Sequence, residues 1–267
     1  MKTVAVLVPI YRELLSDLEA ISLRQIHYIL HDYDIIYIEP ENIEYDDNHG
    51  IVRRFPSACF ASILTYNRLL LNQDFYKAFL DYKYILVCQL DVFVFSNRLK
   101  AFCDMGYDYY GAPWLNGVLL NAGKGLRLRF SGNGGLSLRN VHKTLKLLER
   151  YGDYAEAYEG NEDFFFSYFS SNEYRVAPSD VSRRFCIETH VRRCMHMNKG
   201  ELPFGTHAWE RYDFEFWKPY IEEYGYDLSS VNMMNGNEDK IIKKGILRVA
   251  LANILRSISD YRYRRNI

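Results

Sequence analysis

The stretch Tyr84-Ile-Leu-Val-Cys-Gln-Leu-Asp-Val-Phe-Val-Phe95 is an almost unbroken apolar run, interrupted by Gln89 and Asp91. A run this apolar and β-branched predicts a strand that is buried on both faces of a sheet. A carboxylate near the end of such a strand is costly unless a cation, a ligand or a hydrogen-bond donor meets it. Ligands of open α/β sheets collect at the carboxyl ends of the strands. Asp91 is therefore a candidate ligand-binding residue, and a turn cap or an arginine partner is the alternative.

Apolar periodicity in the first part of the chain alternates between that of strands and that of helices. This alternation is typical of a mostly parallel sheet with helices on its faces. Glycine-rich turns, aromatic clusters and short strands in the second half predict an antiparallel extension. The predicted strands are 4–8, 34–38 and 84–95, and the predicted helices are 14–30, 57–71 and 75–80.

The composition sets the class and the domain organisation. With 267 residues, 48% hydrophobic and 25% charged, the chain is long enough for one large domain with a substantial core. We predict a single α/β domain over residues 1–235 and a basic amphipathic helical tail over residues 236–267. A net charge of -1 gives no indication of a nucleic-acid partner.

Cysteine usage and the N-terminus predict the compartment. The five cysteines are scattered and form no Cys-x-x-Cys pair, which indicates a reducing environment without structural disulfides. The apolar segment at residues 1–10 is too short for a signal peptide, and charged residues follow at once. No segment reaches the roughly 18 apolar residues of a transmembrane helix. We therefore expect a cytoplasmic protein without a membrane span.

Two glycine-containing turns follow Asp91. Gly111-Ala-Pro-Trp114 carries an aromatic side chain, and Ser131-Gly-Asn-Gly-Gly-Leu-Ser-Leu138 enters an apolar segment. The glycines of the second turn allow a backbone to approach a ligand closely, or they make a tight turn and nothing more.

Two further motifs carry groups that titrate. Gly160-Asn-Glu-Asp163 opens an aromatic run that predicts a helix. Carboxylates at this position stabilise the positive end of the helix, and one that lies beside a pocket also suits a general base. Pro203-Phe-Gly-Thr-His-Ala-Trp209 places His207 in a glycine-containing turn. A lone histidine is usually structural, but in a chain that already offers Asp91 it is a candidate metal ligand.

The order of these motifs resembles that of the animal beta-galactosyltransferases. Residues 66–84, leading into Gln89-Leu-Asp91, resemble their Asn-Arg helix and the strand that ends in an Asp-x-Asp metal motif. Residues 4–9 with Arg12 resemble their first nucleotide-binding strand and loop. Residues 134–137 and 160–163 resemble their Gly-Gly-Val-Ser and Gly-Glu-Asp segments.

A more specific resemblance covers roughly residues 1–220. It is to a family of microbial and fungal proteins that is catalogued as a domain of unknown function and regarded as glycosyltransferase-like. The motifs that carry it are Gln-Leu-Asp (89–91), Gly-Ala-Pro-Trp (111–114), Gly-Asn-Gly-Gly (132–135), Asn-Glu-Asp (161–163) and Pro-Phe-Gly-x-His-x-Trp (203–209).

These resemblances imply both a fold and an activity. The fold is an α/β, GT-A-like single domain, with a mostly parallel nucleotide-binding sheet, helices on both faces and a smaller antiparallel extension. The activity is that of a hexosyltransferase-like glycosyltransferase. It would move a sugar from a nucleotide-diphosphate sugar to a glycan or lipid-linked acceptor in surface polysaccharide synthesis. A divalent ion, Mn or Mg, would neutralise the leaving diphosphate. A base that deprotonates the acceptor implies inversion at the anomeric carbon.

Each candidate residue then takes a role. Asp163 is the predicted base, and Glu162 helps to orient the acceptor. Asp91 and His207 are the predicted metal ligands. The predicted donor-binding residues are Pro9, Tyr11, Arg12, Tyr66, Asn67, Arg68, Gln89, Asp91, Trp114, Gly134 and Gly135.

Gln89 departs from the resemblance, because it stands where the metal motif begins with Asp. A neutral amide is a weaker ligand for a hard cation than a carboxylate. Metal-independent transfer therefore stays open, as does a carbohydrate-binding or scaffold protein on a degenerate transferase fold. A retaining mechanism, which needs no base that deprotonates the acceptor, is a further alternative. A nucleotidyltransferase is disfavoured, because no glycine-rich, lysine-containing phosphate loop follows the first strand.

The tail has a different character. Residues 240–267 contain eight Lys or Arg and one acid, Asp260, and the residues Ile242, Ile246, Val249, Ile254 and Ile258 give the segment a broad apolar face. Such a helix lies on an anionic membrane surface, or it packs on its own domain or on a second subunit of a homodimer. The first alternative predicts peripheral attachment to the inner face of the cell membrane.

Overall fold

The computed structural model describes residues 1–45, 50–231 and 246–265. Its strands are β1 (Lys2–Pro9), β2 (Asp34–Pro40), β3 (Ile51–Phe55), β4 (Tyr82–Cys88), β5 (Val92–Val94), β6 (Tyr109–Tyr110), β7 (Ala112–Leu120), β8 (Arg127–Gly132), β9 (Leu136–Asn140), β10 (Cys186–Ile187) and β11 (Gly205–His207). Its helices are α1 (Asp17–Leu30), α2 (Ile63–Leu70), α3 (Gln73–Lys77), α4 (Leu99–Met105), α5 (Val141–Arg150), α6 (Gly152–Glu156), α7 (Glu162–Tyr168), α8 (Ser179–Phe185), α9 (Val191–Met197), α10 (Phe214–Glu222) and a C-terminal helix, Ile246–Arg265.

A six-stranded sheet in the order β3-β2-β1-β4-β9-β6 forms the centre of the molecule. The first four strands of this order are mutually parallel, whereas β9 runs antiparallel to both of its neighbours, β4 and β6. Two smaller sheets, β10-β11-β5 and the β7-β8 pair, extend it. The predicted fold class, a mostly parallel sheet with a smaller antiparallel extension, is confirmed.

Alternation along β1 separates the two faces of the central sheet. Val4, Val6 and Val8 belong to one buried cluster, which includes side chains of α1 and α4. Ala5 and Leu7 belong to another, which includes side chains of α2, α3, α5 and α7. Because successive side chains of a strand point to opposite faces, helices cover both faces of the sheet.

The apolar run 84–95 is two strands rather than the one predicted. β4 ends at Cys88, and β5 begins at Val92 in a different sheet. The backbone N–H of Gln89 donates to the backbone carbonyl of Gly135 at 2.9 Å. The backbone N–H of Val92 donates to the backbone carbonyl of Gln89 at 3.1 Å and closes a turn. Gln89 and Asp91 thus lie in a turn at the edge of the sheet, between β4 and β5.

Other boundaries differ from the predicted ones because of capping. α1 begins at Asp17, since Ser16 forms a capping box with Glu19. The predicted helix 57–71 is a 3-10 turn, Ser57–Phe60, followed by α2, which begins after the capping residue Ser62. β3 was not predicted, because its exposed edge position leaves it without an apolar pattern.

The C-terminal helix packs against β7 and α8. The predicted boundary at residue 235 and the tail positions Lys240, Ile242, Lys243 and Lys244 lie outside the described residues, so the domain division stays a prediction. Among the helices of the described residues, none has the length and apolar character needed to cross a membrane.

Candidate active site

A cavity of about 890 Å³ opens at the carboxyl ends of β1 and β4. This is the edge at which open α/β sheets bind ligands, and the volume suits a small organic molecule. The predicted site residues that line it are Pro9, Tyr11, Arg12, Tyr66, Asn67, Gln89, Asp91, Trp114, Gly134, Gly135, Glu162, Asp163 and His207.

Arg68 is the predicted donor-binding residue that does not line this cavity. Its neighbours Tyr66 and Asn67 face the cavity, whereas Arg68 lines a second one on the other side of α2. Successive residues of a helix point about 100° apart, which explains the separation. The Arg68 side chain is half exposed and lies 3.9 Å from Glu159.

The turn after β4 brings Asp91 to His207. β5 pairs antiparallel with β11, and Val92 lies opposite His207 in the register. Asp91 Oδ1 and His207 Nε2 are 3.2 Å apart. On the other side of the ring, His207 Nδ1 lies 3.0 Å from Glu188 Oε1 and 2.9 Å from the side-chain amide of Asn133. The imidazole therefore lies between two carboxylates.

These charges control the protonation of the pair. Burial alone would lower the pKa of His207, but the negative charges of Asp91 and Glu188 raise this pKa well above its ordinary value. Burial opposes the charged form of Asp91, but the neighbouring His207 lowers the pKa of this carboxyl. Glu210 also lines the cavity. Its burial raises its pKa, and the negative charge of Asp91 raises this pKa further.

The Asp91–His207 pair could hold a divalent ion. Asp91 Oδ1 and His207 Nε2 are buried and make no well-formed hydrogen bond. Within residues 1–45, 50–231 and 246–265, no group of three or more His, Cys, Asp or Glu side chains has the geometry of a metal centre. One or two protein ligands suffice where phosphate oxygens and water complete the sphere. The residues thus fit an ion that is shared with a diphosphate, and binding would require the proton to leave His207.

A buried ion pair lies beneath the cavity. Arg139 Nη2 donates to Glu162 Oε1 at 2.7 Å, and both side chains are almost fully buried. Arg139 also donates to the Tyr76 hydroxyl and to the Ser137 hydroxyl, each at 3.0 Å. One oxygen of Glu162 is therefore committed to Arg139, which holds this carboxylate in place.

Asp163 is the neighbouring carboxylate in the first turn of α7. It accepts hydrogen bonds from the backbone amides of Asn133 at 2.7 Å and Phe164 at 2.9 Å. Burial, and then the charge of Glu162, raise the pKa of Asp163 to about 7 against the opposing effect of these amides. A carboxyl with this pKa exchanges protons near neutral pH, as a general base must.

The glycine-rich turn makes room for side chains of the site. A Cβ on Gly132 would lie 1.9 Å from Trp114, one on Gly134 would lie 2.1 Å from Glu162 Oε1, and one on Gly135 would lie 2.0 Å from His207 Nε2. The three glycines therefore allow close packing of these three side chains, which is a structural reason for the motif besides the two that the sequence left open.

Sequence reasoning missed four charged residues of the site: Arg139, Glu188, Glu210 and Arg211. The sequence did contain an indication of Arg139, because a charged residue within the apolar segment 136–140 needs a partner of opposite charge. Glu210 and Arg211 directly follow the motif that contains His207. Glu188 follows a two-residue strand, and nothing local in the sequence marks it.

Comparisons with known proteins identify the family of the chain. Residues 51–207 match the family described as "Protein of unknown function (DUF5672)". The chain belongs to this family. No curated protein matches the chain.

Among solved structures, a galactosyltransferase, LgtC, in complex with donor and acceptor sugar analogs is similar with a TM-score of 0.52 and 14% identity, over 85% of this chain and 97% of its own. The bifunctional glycosyltransferase WbbM in its apo form is similar with a TM-score of 0.50 and 12% identity, over 83% of this chain and 51% of its own. At these identities the likeness concerns the fold. The GT-A-like fold and the membership of a family catalogued as a domain of unknown function, both predicted from the sequence, are confirmed.

Proposed function

We propose that this DUF5672 protein is a glycosyltransferase that moves a sugar from a nucleotide-diphosphate sugar to a glycan or lipid-linked acceptor. One observation carries this proposal: Asp91 and His207 converge with Glu162 and Asp163 in a single cavity at the carboxyl edge of the sheet. The similarity to a galactosyltransferase that was solved with donor and acceptor sugar analogs supports it. The predicted role in surface polysaccharide synthesis belongs to the same proposal.

The donor would lie across the end of β1. Pro9 ends this strand, and Arg12, Tyr66 and Asn67 line the same side of the cavity. Arg12 is ion-paired with Glu19 at 3.1 Å, but its side chain is half exposed. Its guanidinium can therefore also meet an anionic group at the mouth of the cavity. These residues would orient the nucleotide so that its diphosphate reaches Asp91.

Asp91 and His207 would hold Mn or Mg together with the diphosphate. A bound divalent ion supplies charge neutralisation at the leaving diphosphate. Glu188 would receive a hydrogen bond from Nδ1–H of His207 and so leave Nε2 free for a ligand. Carboxylates that accept from metal-binding histidines act in this way in many sites. Gln89 lines the cavity as a neutral neighbour.

Asp163 would accept the proton of the attacking hydroxyl. Its pKa of about 7 allows it to take a proton at neutral pH. Because Arg139 holds Glu162, we assign Glu162 the role of a fixed acceptor of hydrogen bonds from the sugar hydroxyls. A base opposite the leaving diphosphate gives inversion at the anomeric carbon.

The test is a screen of nucleotide-diphosphate sugars for hydrolysis and transfer, with Mn and with a chelator. We expect Mn-dependent release of the nucleoside diphosphate from at least one donor, and its loss in Asp91→Asn. Asp74→Asn, which lines the second cavity, is the matched control and should keep the activity. No turnover of any donor, with a folded protein, would contradict the proposal. The anomeric configuration of the product, read by NMR, separates inversion from the retaining alternative.

A further inference from the structure

The C-terminal helix is attached to the protein through polar side chains. Arg256 is buried, and its Nη1 donates to the Leu115 carbonyl at 2.9 Å. Asp260 accepts from the backbone amide and the hydroxyl of Ser179 at 2.9 and 2.8 Å. Ala252 is buried as well. Positions 252, 256 and 260 therefore belong to the attached face and are spaced by one helical turn.

The opposite face of this helix is apolar and exposed. Leu251, Ile254, Leu255 and Ile258 form what we call the apolar stripe, and their exposed fractions lie between 37% and 58%. Their spacing of three, four and seven residues places them on one side of a helix. At about 100° per residue, this side is turned away from positions 252, 256 and 260. A helix of a soluble domain ordinarily buries its apolar side, so here something else must cover it.

The charge of the segment indicates what covers the stripe. Residues 240–267 carry eight cations and one acid, and the structure directs that acid, Asp260, to Ser179 and one cation, Arg256, to Leu115. The remaining seven cations have no acid within the segment to balance them. They are Lys240, Lys243, Lys244, Arg248, Arg262, Arg264 and Arg265.

We propose that the apolar stripe docks onto an anionic lipid surface, with the helix lying in the plane of the surface. An apolar helix face within a cationic segment is the combination that binds at the boundary between headgroups and acyl chains. A second copy of the chain fits less well, because a symmetric contact between two stripes would pair two helices that each carry five arginines and one acid over residues 246–265. The buried Ala252 and the polar contacts of Arg256 and Asp260 keep the domain attached to the helix while the stripe faces the lipid.

Sedimentation of the full-length protein with vesicles tests the proposal. The vesicles are phosphatidylcholine alone, or phosphatidylcholine in which a part is replaced by phosphatidylglycerol. We expect binding to the anionic vesicles, weakened by high salt, and little binding to the neutral ones. Ile254→Glu should weaken binding by roughly tenfold or more, because it removes an inserted apolar side chain and adds a charge.

Ser257→Glu is the matched control. It adds the same charge to the same helix at an exposed position outside the stripe, so it should lose far less binding than Ile254→Glu. Thermal unfolding midpoints equal to the wild type in both variants show that the fold is intact. Equal binding to neutral and anionic vesicles, or equal losses in the two variants, would overturn the proposal. Light scattering that shows a dimer, dissociated by Ile254→Glu, without vesicle binding would assign the stripe to a second copy instead. None of these readouts depends on the proposed transferase activity.

Discussion

At the scale of single residues, the carboxylate of Asp163 makes the most direct prediction about turnover. Because its pKa is about 7 and a base must be deprotonated, turnover should rise with pH up to about that value. Asp163→Asn keeps an acceptor for the Asn133 amide but removes the basic site, so turnover should fall roughly hundredfold. Steady-state kinetics and a donor titration measure the two effects, and donor affinity should change little. Asp153→Asn, exposed on α6, is the control, and near-normal turnover in Asp163→Asn would assign the base elsewhere.

The same residue predicts how stability depends on pH. Burial raises the folded-state pKa of Asp163 from 3.8 to about 7, so the folded protein holds this proton more tightly than the unfolded chain. This contribution to stability is present below pH 3.8 and is lost as the pH rises through about 7. Asp163→Asn should therefore gain stability relative to the wild type between pH 4 and pH 8. Urea unfolding of the metal-free proteins at a series of pH values measures the gain, and a constant difference would refute the shifted pKa.

Glu188 predicts how the ring of His207 is oriented. Asn133 and Glu188 compete for Nδ1, and only donation from Nδ1 to Glu188 leaves Nε2 free for a metal. Glu188→Gln should weaken Mn binding about tenfold, the lower end for a partner of a metal-binding histidine. Calorimetry with Mn and a nucleoside diphosphate measures this affinity, and the exposed Glu201→Gln is the control. Unchanged affinity would show that Glu188 does not set the orientation.

At the scale of elements, the sequence predicted the sheet better than its interruptions. Long apolar runs such as 4–8 and 34–38 became strands because burial on both faces leaves a continuous signal. The division of 84–95 into β4 and β5 was missed, since Gln89 and Asp91 interrupt the run without any glycine or proline. The pairing of β5 with β11, more than a hundred residues away, is a tertiary contact without a local pattern. Candidates at the carboxyl edge of the sheet were nevertheless predictable, because strand ends meet there.

Gly135, in the turn before β9, leaves no room for a larger side chain beside His207. A Cβ on Gly135 would lie 2.0 Å from His207 Nε2, and Gly135 does not have a left-handed φ, so the conflict is one of space. Gly135→Ala should displace the ring, which lowers Mn affinity at least tenfold while the protein stays folded. Gly152→Ala is the matched control, because its Cβ would meet its nearest atom at 4.0 Å. Calorimetry and the unfolding midpoint separate the two effects, and normal Mn affinity in Gly135→Ala would remove His207 from the metal site.

At the scale of the whole molecule, the Arg139–Glu162 pair joins the central sheet to the other half of the site. Arg139 lies in β9, Glu162 in α7, and the Tyr76 hydroxyl brings in α3. The Arg139 side chain is 0% exposed and that of Glu162 is 5% exposed, so removing either partner leaves the other as a largely buried, unpaired charge. The pair therefore fixes the relative positions of three elements that come from distant parts of the chain.

Breaking this pair should cost far more than removing it. Arg139→Ala leaves the Glu162 carboxylate buried and unpaired, with an expected loss of about 3–5 kcal/mol in the free energy of unfolding. Arg139→Met with Glu162→Leu removes both charges and keeps apolar volume, so most of that loss should be recovered although the site is destroyed. Arg150→Ala, which breaks the exposed pair with Glu173, should cost about 1 kcal/mol or less. Urea unfolding measures all three variants. If Arg139→Ala cost no more than Arg150→Ala, the rigidity of the site would have to come from packing around α7 rather than from this ion pair.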